Sequence, residues 1–303
     1  MKLIKPSFEI WEQSVGLEGV YKQIEKVGRV CYKSEDKITE DSAKPFVDRM
    51  IKSGHGAMLE HGTVYLAMPM ETILPVEANG WGKYTKNPYS KGFKVCKVDG
   101  QSRVAITTNL RVLVENGWLD DLQYICEPTE YHERRVTVHF VCDRGVSHEF
   151  VRHRVMSFAQ ESTRYCNYSK DKFGNELTFI RPCWLDIPTG HYAYWDGDWC
   201  DIDKMKIQLP EGEHKDIDAF LWTLNSAETH YTLLINSGWK PQEARAVLPN
   251  SLKTELVVTG FTSDWKHFFG LRAIGTTGAP HPQAKELAEP LMKEFIARKY
   301  INN

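Results

Sequence analysis

The sequence predicts an α+β fold, a single domain in which helices flank a central, mostly antiparallel sheet and which carries two insertions. Residues 134–142 alternate apolar and polar side chains, the pattern of a half-buried strand. Residues 17–33 carry apolar side chains at helical spacing, and further helical patterns follow along the chain. Because no internal repeat and no low-complexity linker divides the sequence, we interpret residues 1–303 as one domain.

The first part of the chain predicts three helices and one strand. Over residues 17–33 the apolar face of the helix consists of Leu17, Val20, Tyr21, Ile24 and Val27. The other elements are a helix capped by Thr39 and ended by Gly54, a strand over 59–68, and a helix over 106–114 that stops at Asn116 and Gly117. Residues 71–103 are rich in glycine, lysine, proline and asparagine without a clear period, so we interpret them as the first insertion.

The strand over 134–142 has two distinct faces. One face carries Val136, Val138 and Phe140, and the other carries Thr137, His139 and Val141. A turn at 143–145 follows, and Ser147 is expected to cap a short helix from His148 to Arg152. Residues 166–215 are rich in tryptophan and polar side chains, and we interpret them as the second insertion. Helices are expected over 217–236, 263–271 and 282–300.

Composition limits the possible classes of function. With 42% hydrophobic and 26% charged residues, the chain is typical of soluble globular proteins. A net charge of −2 gives no general attraction to nucleic acid, so an anion site would need a local cluster of arginines. No apolar run is long enough to cross a bilayer, and the N-terminal residues lack the apolar core of a secretory signal. We therefore expect a cytoplasmic protein that binds neither membranes nor nucleic acid.

The seven cysteines are scattered and include no CxxC pair. An odd set without such a pair argues against both a zinc ribbon and a disulfide framework. Reduced thiols are the expected state. Since no cysteine lies in a motif that would activate it, none is predicted to act as a nucleophile.

The densest polar cluster spans residues 152–165. Its three arginines, one histidine and three hydroxyl side chains suit a phosphate, and the aromatic residues among them suit a flat ring. A solvated surface loop is the alternative interpretation. Two shorter clusters, at 243–249 and 267–272, are weak on their own. On an α-helix His267 and Arg272 would not share a face, so either could be simply exposed.

Residues 148–153 nearly spell the zinc-protease motif HExxH. The second histidine, His153, lies five residues after His148 rather than four, which turns it off the ligand face, and Arg152 would repel a cation. We therefore expect no metal site. Two alternatives stay open: a zinc hydrolase built on His148, Glu149 and His153, and a nucleic-acid-binding protein that uses the nine tryptophans as stacking platforms.

Residues 152–165 resemble the signature of flavin-dependent thymidylate synthases, in which an RHR triplet is followed by seven residues and a serine. Here the triplet is Arg152-His153-Arg154, the serine is Ser162, and Arg164-Tyr165 follow. Four further segments occur in the family's order, RVCY at 29–32, LEHGT at 59–63, ARAVLP at 244–249 and HFFGLR at 267–272. The matching blocks are 28–34, 58–66, 134–165 and 243–272.

The resemblance implies methylation of dUMP to dTMP, with methylenetetrahydrofolate as carbon donor and FAD, reduced by NADPH, as hydride donor. It also implies a homotetramer with active sites at subunit interfaces. By position, FAD would be held by Arg152, His153 and Arg154, with His61, Thr63 and His267 also lining its site. The nucleotide would be held by Glu149, Arg152, Gln160, Glu161, Ser162, Thr163, Arg164 and Arg245, and Arg272 would face the uracil ring as the catalytic residue.

Three positions depart from the family's usual residues. Glu149 stands where glutamine is common, and we expect it to contact a sugar hydroxyl or an arginine, since a carboxylate repels a phosphate. Cys31 replaces a common serine, and Phe261 stands in place of a flavin-contacting asparagine, so neither role is carried over. Arg272 against the uracil edge would favour negative charge on the ring and make C5 nucleophilic without an enzyme thiolate.

Overall fold

The chain contains both strands and helices. The computed structural model describes residues 1–70, 80–98, 100–195, 198–203 and 215–302. The strands are β1 (Lys2–Ile4), β2 (Ser7–Trp11), β3 (Thr63–Pro69), β4 (Lys91–Val98), β5 (Gln101–Asn109), β6 (Arg135–Asp143), β7 (Ser157–Gln160), β8 (Thr178–Ile180), β9 (Gly190–Trp195), β10 (Asp198–Asp201) and β11 (Lys253–Phe261). The α-helices are α1 (Gly16–Tyr32), α2 (Ala43–Lys52), α3 (Gly56–Leu59), α4 (Leu110–Asn116), α5 (Arg144–Phe150), α6 (Lys215–Asn236), α7 (Pro241–Ala244), α8 (Thr262–Phe269) and α9 (Pro282–Ala297).

The strands form three sheets within the described ranges. The central sheet has the order β2-β6-β11-β7, and each neighbouring pair in it is antiparallel. A second sheet, β3-β5-β4, is also antiparallel. The third has the order β10-β9-β1-β8, and β1 pairs with β8 in parallel. The predicted α+β fold with a central antiparallel sheet and flanking helices is confirmed.

Helices α8 and α9 cover one face of the central sheet. Val136, Val138 and Phe140 of β6 are buried in the largest apolar cluster, as their alternation predicts. Trp265 of α8 and Phe295 of α9 pack in the same cluster. Burial of each large apolar side chain stabilises the fold by about 1.5–3 kcal/mol, so this contact fixes the helices against the sheet.

Helix α1 confirms the helical period of residues 17–33. Val20, Ile24, Val27 and Val30 are all buried along one face of it. The helix ends at Tyr32, and the next residue, Lys33, adopts the left-handed conformation with φ of 49°. The chain therefore turns sharply immediately before the segment that leads to α2.

Two boundaries predicted in the N-terminal part are wrong. Helix α2 begins at Ala43 and not after Thr39, because Pro45 has no N–H and fits only in the first turn of a helix. Residues 59–62 are not part of the strand. The N–H groups of His61 and Gly62 bond back to carbonyls of residues 58 and 59, and β3 begins at Thr63.

Two further boundaries are wrong because a strand runs directly into a helix. Residues 106–109, predicted as helix, belong to β5, where Ile106 pairs with Leu66 of β3. The side chain of Asn109 then accepts the N–H of Val112 and begins α4. Helix α5 is capped by Asp143 rather than by Ser147, because the Asp143 carboxylate accepts the N–H of Val146 at 2.7 Å.

The helices predicted near the C-terminus are present with altered ends. The helix over 217–236 is confirmed as α6. Helix α8 changes into a π-helical turn over Gly270–Ile274, and α9 ends at Ala297 instead of continuing to Tyr300. No helix in the described ranges is both long enough and apolar enough to cross a membrane.

The two predicted insertions contain regular structure. Within 71–103, β4 and the start of β5 form an antiparallel pair, so this part of the first predicted insertion has the regular period that we did not find in the sequence. Its period is hard to see because the register of β4 shifts between Gly92 and Lys94 and because Val95 is exposed. Within 166–215, β8, β9 and β10 build most of the third sheet. Predictions for residues 71–79, 99, 196–197 and 204–214 lie outside the described residues.

Candidate functional site

Arg272 is held against the C-terminal end of helix α5 by three hydrogen bonds. Its Nη1 donates to the Glu149 carboxylate at 2.6 Å, and its Nη2 donates to the Glu149 carbonyl oxygen at 2.8 Å. Its Nε donates to Nε2 of His153 at 3.3 Å. The contact of Glu149 with an arginine is one of the two that we expected for this carboxylate. The guanidinium is thereby fixed in one orientation while 16% of the side chain stays exposed.

The π-helical turn brings Arg272 to this place. It begins at Gly270, directly after α8, and widens the helix by one residue per turn. Arg272 consequently contacts His153, and the ring of His267 also lies against His153, with 5.7 Å between the ring centroids. We expected that His267 and Arg272 would not share a face of an α-helix and that either could be exposed. His267 is exposed, but both side chains contact His153, because the helix is not an ideal α-helix at this point.

His153 acts as a neutral acceptor in this cluster. Burial, followed by the charges of Arg272 and His267, lowers the pKa of His153 to about 4. At neutral pH the ring is uncharged, so its Nε2 is free to accept the hydrogen bond from Arg272. Phe268 packs on the imidazole with ring centroids 5.0 Å apart. The orientation of His153 is therefore set from two sides.

Arg152 and Arg154 lie on either side of His153 and are exposed. Neither forms an ion pair with a carboxylate in the described ranges of the chain. The backbone is tight here, since the N–H of Arg154 bonds to the carbonyl of Arg152 at 3.0 Å. Two guanidinium groups are thus presented to solvent beside the Arg272 cluster, where an anionic ligand could reach them.

The segment that follows β7 forms a second group of predicted site residues. Arg245 donates to Thr163 Oγ1 at 3.3 Å, and Arg164 donates to Gln242 at 3.1 Å. Both arginines are exposed. Ser162 is held by its backbone, whose N–H bonds to the carbonyl of residue 31. The structure therefore brings the 160–164 segment and the start of the 244–249 segment together, although about eighty residues of sequence separate them.

Gln160 connects this group to the Arg272 cluster. Its side-chain amide donates to Ser147 Oγ at 2.9 Å and to Thr254 Oγ1 at 3.2 Å. Ser147 belongs to the same short helix as Glu149. The two groups of predicted site residues are consequently joined through α5.

Glu161 differs from its neighbours because its side chain is wholly buried. One carboxylate oxygen pairs with Lys253 Nζ at 2.8 Å, and the other accepts the hydroxyl of Tyr168 at 3.0 Å. Lys253 also pairs with Glu255, which in turn pairs with Lys33 and accepts from a histidine on β6. The predicted substrate-binding residue Glu161 thus anchors the 160–164 segment to the central sheet.

His61 and Thr63 lie inside the chain at the start of β3. His61 Nδ1 is 2.8 Å from Thr259 Oγ1, and its Nε2 has no partner in the described ranges. Burial and then the charge of Arg135 lower the pKa of His61 to about 3, so the ring is neutral. Thr63 accepts a hydrogen bond from Arg135 at 3.3 Å. Arg135 therefore acts on both residues: its charge disfavours protonation of His61, and it donates a hydrogen bond to Thr63.

The residues of the near-HExxH segment are already engaged with an arginine. Both Glu149 and His153 bond to Arg272, and a guanidinium at this place repels a cation. Over the described residues, no group of three or more His, Cys, Asp or Glu side chains is arranged to hold a metal ion. This geometry gives the zinc hydrolase alternative no support.

Residues 128–298 match the family model described as thymidylate synthase complementing protein. The match spans more than half of the chain and includes both groups of site residues. The chain belongs to this family. His61 and Thr63 precede the matched residues, so their predicted roles depend on the shorter resemblance at 59–63.

Relatives of this family include the flavin-dependent thymidylate synthase of Pyrococcus furiosus, which is 31% identical over 163 residues, 53% of each chain. The flavin-dependent thymidylate synthase of Corynebacterium aurimucosum is 23% identical over 286 residues, which cover 93% of this chain and 78% of the relative. The chain thus spans about half the length of the first of these relatives. Among solved structures, the UMP/dUMP methylase PolB from Streptomyces cacaoi, bound with 5-Br dUMP, aligns with 16% identity and a TM-score of 0.43 over 98% of this chain and 93% of PolB.

Some residues of the candidate site could not be recognised in the sequence. Arg135, Tyr168 and Lys253 all contact predicted site residues. Arg135 lies in the predicted strand, Tyr168 lies in the second predicted insertion, and Lys253 lies in a segment to which we assigned no element. One signal was available for Lys253. Together with Glu255 it places two charges on one face of a strand that is otherwise uncharged, which indicates a buried ion pair.

Cys31 and Cys166, the two cysteines nearest the candidate site residues, have raised thiol pKa values. Burial, followed by the charge of Glu161, raises the pKa of Cys166 to about 11, and burial raises that of Cys31 to about 11. We expect a Cys166→Ala variant to keep its turnover, because a thiol with such a pKa supplies almost no thiolate at neutral pH. Steady-state kinetics of the folded, flavin-loaded variant tests this. Complete loss of turnover would show that Cys166 takes part in the chemistry.

Proposed function

We propose that this protein is a flavin-dependent thymidylate synthase, an enzyme that methylates dUMP to dTMP with methylenetetrahydrofolate as carbon donor and with FAD and NADPH for the reduction. Membership of the thymidylate synthase complementing protein family supports the proposal. The structural observation that carries it is the Arg272 guanidinium, fixed by Glu149 and His153 beside two exposed arginines. A cytoplasmic homotetramer is part of the same proposal.

The residues around His153 suit FAD. Arg152 and Arg154 present exposed guanidinium groups that match a diphosphate, and the neutral His153 ring with His267 offers an aromatic edge for a flat ring system. His61 and Thr63 would complete the flavin site. When bound, FAD supplies the hydride that the methylation needs. The protein's own contribution is to bind, orient and stabilise charge.

Arg272 is the residue that we assign to the uracil ring. Three of its N–H groups are engaged by Glu149 and His153, and the remaining ones can donate to the edge of a pyrimidine. A guanidinium held in advance stabilises negative charge that develops on the ring, without reorganisation during the reaction. Glu149 and His153 position this guanidinium, so Glu149 acts on the nucleotide through Arg272.

The phosphate of dUMP would be bound by Arg164 and Arg245. Their exposed guanidinium groups are brought together by contacts with Gln242 and Thr163. Gln160 and Ser162 belong to the same segment and could bond to the sugar. Glu161 contributes by fixing this segment through Lys253.

Replacing both Arg152 and Arg154 by alanine should lower the affinity for FAD. Each hydrogen bond to a charged group contributes roughly 1.5–3 kcal/mol, so the double variant should lose most of its flavin during gel filtration. Absorbance at flavin wavelengths measures the content per chain. Arg49→Ala, which removes an arginine of helix α2, is the matched control and should keep wild-type flavin content. A double variant that also keeps it would contradict the assignment of the triplet.

The most direct test of the whole proposal is the visible absorption spectrum of the purified protein after incubation with FAD, followed by an assay of dTMP formation. Bound flavin and methylenetetrahydrofolate-dependent dTMP formation are expected. A protein that stays colourless with added FAD would remove the basis of the proposal and favour the nucleic-acid-binding alternative.

A further inference from the structure

A small cavity lies between the segment that precedes α1 and the strands β3 and β6. Its volume is about 80 Å³, and its polar lining includes Gln13, Ser14, Thr63 and Arg135. A cavity of roughly 10–15 Å³ already holds one water molecule, so this one has room for several waters or for one tetrahedral anion. The cavity is separate from the exposed arginines at 152, 154, 164 and 245.

Arg135 lines this cavity, and no carboxylate of the described residues forms an ion pair with its guanidinium. Its Nη1 donates to the carbonyl of Glu60 at 2.9 Å and to Thr63, and its Nη2 donates to Ser157 Oγ at 3.3 Å. All three acceptors are uncharged. Its Nε is buried and has no hydrogen-bond partner in the described ranges. The guanidinium is therefore incompletely hydrogen-bonded, and its charge is met only by the ring of Phe261, whose centroid lies 5.4 Å away, and by neutral acceptors among the described residues.

The two carboxylates whose charges act on Arg135, those of Glu60 and Asp264, already have other partners. Glu60 pairs with Arg111, and Asp264 pairs with Lys91 at 2.9 Å. Burial lowers the pKa of Arg135 to about 10, a direction that indicates an environment unfavourable to its charge. An unpaired buried charge is strongly destabilising, and folded proteins balance such charges with a counter-charge or a ligand.

A second feature of the cavity also attracts anions. Helix α1 begins at its edge, with Gly16 as the first helical residue. The N-cap residue, Val15, has no side chain that could accept the free N–H groups of the first turn. These N–H groups and the helix dipole favour a negative charge at this end of α1.

From these observations we infer that the cavity binds one oxyanion, a phosphate group, with Arg135 as its principal partner and the first turn of α1 opposite. Glu12, the acidic residue in the lining, does not compete, since its carboxylate is paired with Arg298 and Tyr300. The phosphate is either a free ion or a group carried by a larger ligand. This inference does not depend on the proposed enzymatic activity.

The test is a comparison of melting temperatures in sodium phosphate and in sodium chloride at equal ionic strength, with inorganic phosphate as the probe. We expect phosphate to raise the melting temperature of the wild-type protein by several degrees, because a ligand that binds only the folded state stabilises it. Arg135→Met should lose this rise. In chloride alone it should melt at or above the wild-type temperature, since an uncompensated charge has been removed.

Arg103→Met is the matched control. Within the part of the chain that the structure describes, Arg103 also bonds only to neutral acceptors and also has a buried Nε without a partner, but it does not line the cavity. This variant should keep the full response to phosphate. If Arg135→Met does not fold, Thr63→Val and Arg135→Lys provide the same comparison by calorimetric titration with phosphate, and both should bind it more weakly than wild type.

Three outcomes would overturn the inference: a wild-type protein that responds equally to phosphate and chloride, an Arg135→Met variant that keeps the response, or equal loss in Arg103→Met. Repeating the measurement with saturating FAD or dUMP identifies the source of the phosphate. If phosphate no longer raises the melting temperature when FAD or dUMP is present, the cavity is assigned to the phosphate of that ligand. If the rise is unchanged, the cavity is assigned to a free phosphate ion. None of these measurements requires turnover, so failure of the proposed function and failure of this inference are distinguishable.

Discussion

Under the proposed function, the Arg272→Ala variant is expected to turn over dUMP about 10²–10³ times more slowly than the wild-type protein, the usual cost of removing one preorganised donor to a developing anion. The reason is local. Arg272 is the arginine that Glu149 and His153 hold in a single orientation, and that orientation disappears with the side chain. Arg272→Lys should also be impaired, because a point charge cannot reproduce a planar guanidinium with donors on two sides.

Stopped-flow kinetics of the two half-reactions separates the possible roles of Arg272. Reduction of the flavin by NADPH does not need an activated uracil and should survive largely intact, whereas reoxidation that depends on dUMP should slow. Arg111→Ala, which removes another glutamate-paired arginine from a different helix, should leave both half-reactions unchanged. Equal damage to both half-reactions in Arg272→Ala would mean that Arg272 maintains the site's structure. Unchanged half-reactions would end its catalytic assignment.

Elements whose packing follows a single repeating pattern could be predicted from the sequence. The alternation of Val136, Val138 and Phe140 predicts β6 because strand side chains alternate between two faces whatever lies around them. The period of residues 17–33 predicts α1 for the same reason. In both cases the local pattern and the tertiary packing favour the same structure.

Boundaries were less predictable because they depend on partners far away in the sequence. Asp143 and Ser147 are both good caps, and the choice between them follows from β6, which pairs with β11 as far as residue 143. Residues 106–109 have a composition compatible with a helix, but their pairing with β3 extends β5 instead. The π-helical turn that places Arg272 has no sequence signal that we could identify.

The sequence predicted which residues belong to the candidate site, but it did not predict how their side chains are arranged in space. The arginines at 152, 154, 164 and 245 were recognised because charged clusters in short segments are rarely buried, and all of them are exposed. Glu161 lies in the same cluster and is buried, since Lys253 of β11 neutralises it. The pairing of these two residues across ninety positions depends on the sheet register, which composition does not specify.

Lys253→Met is expected to destabilise the protein by about 3–5 kcal/mol, the cost of removing one partner from a buried ion pair. The buried Glu161 carboxylate would keep only its bond from Tyr168, and Glu255 would keep Lys33 and its histidine partner. Burial alone would raise the pKa of Glu255, but the hydrogen bond from His139 and the charges of Lys253 and Lys33 hold it well below its usual range. This stabilisation is present above the ordinary glutamate pKa near 4.5 and is lost as the pH falls through the lowered value.

Urea unfolding at neutral pH measures the loss in Lys253→Met, and a matched control is available on helix α9. Lys293 forms an exposed pair with Glu289, so Lys293→Met should change the stability by at most about 0.5 kcal/mol. The double variant Lys253→Met with Glu161→Gln should recover much of the lost stability, because it leaves no uncompensated charge on Glu161. If Lys253→Met unfolds at the same urea concentration as Lys293→Met, the buried network does not hold the 160–164 segment. If the double variant is as unstable as the single one, lost packing of the lysine stem, and not charge, explains the effect.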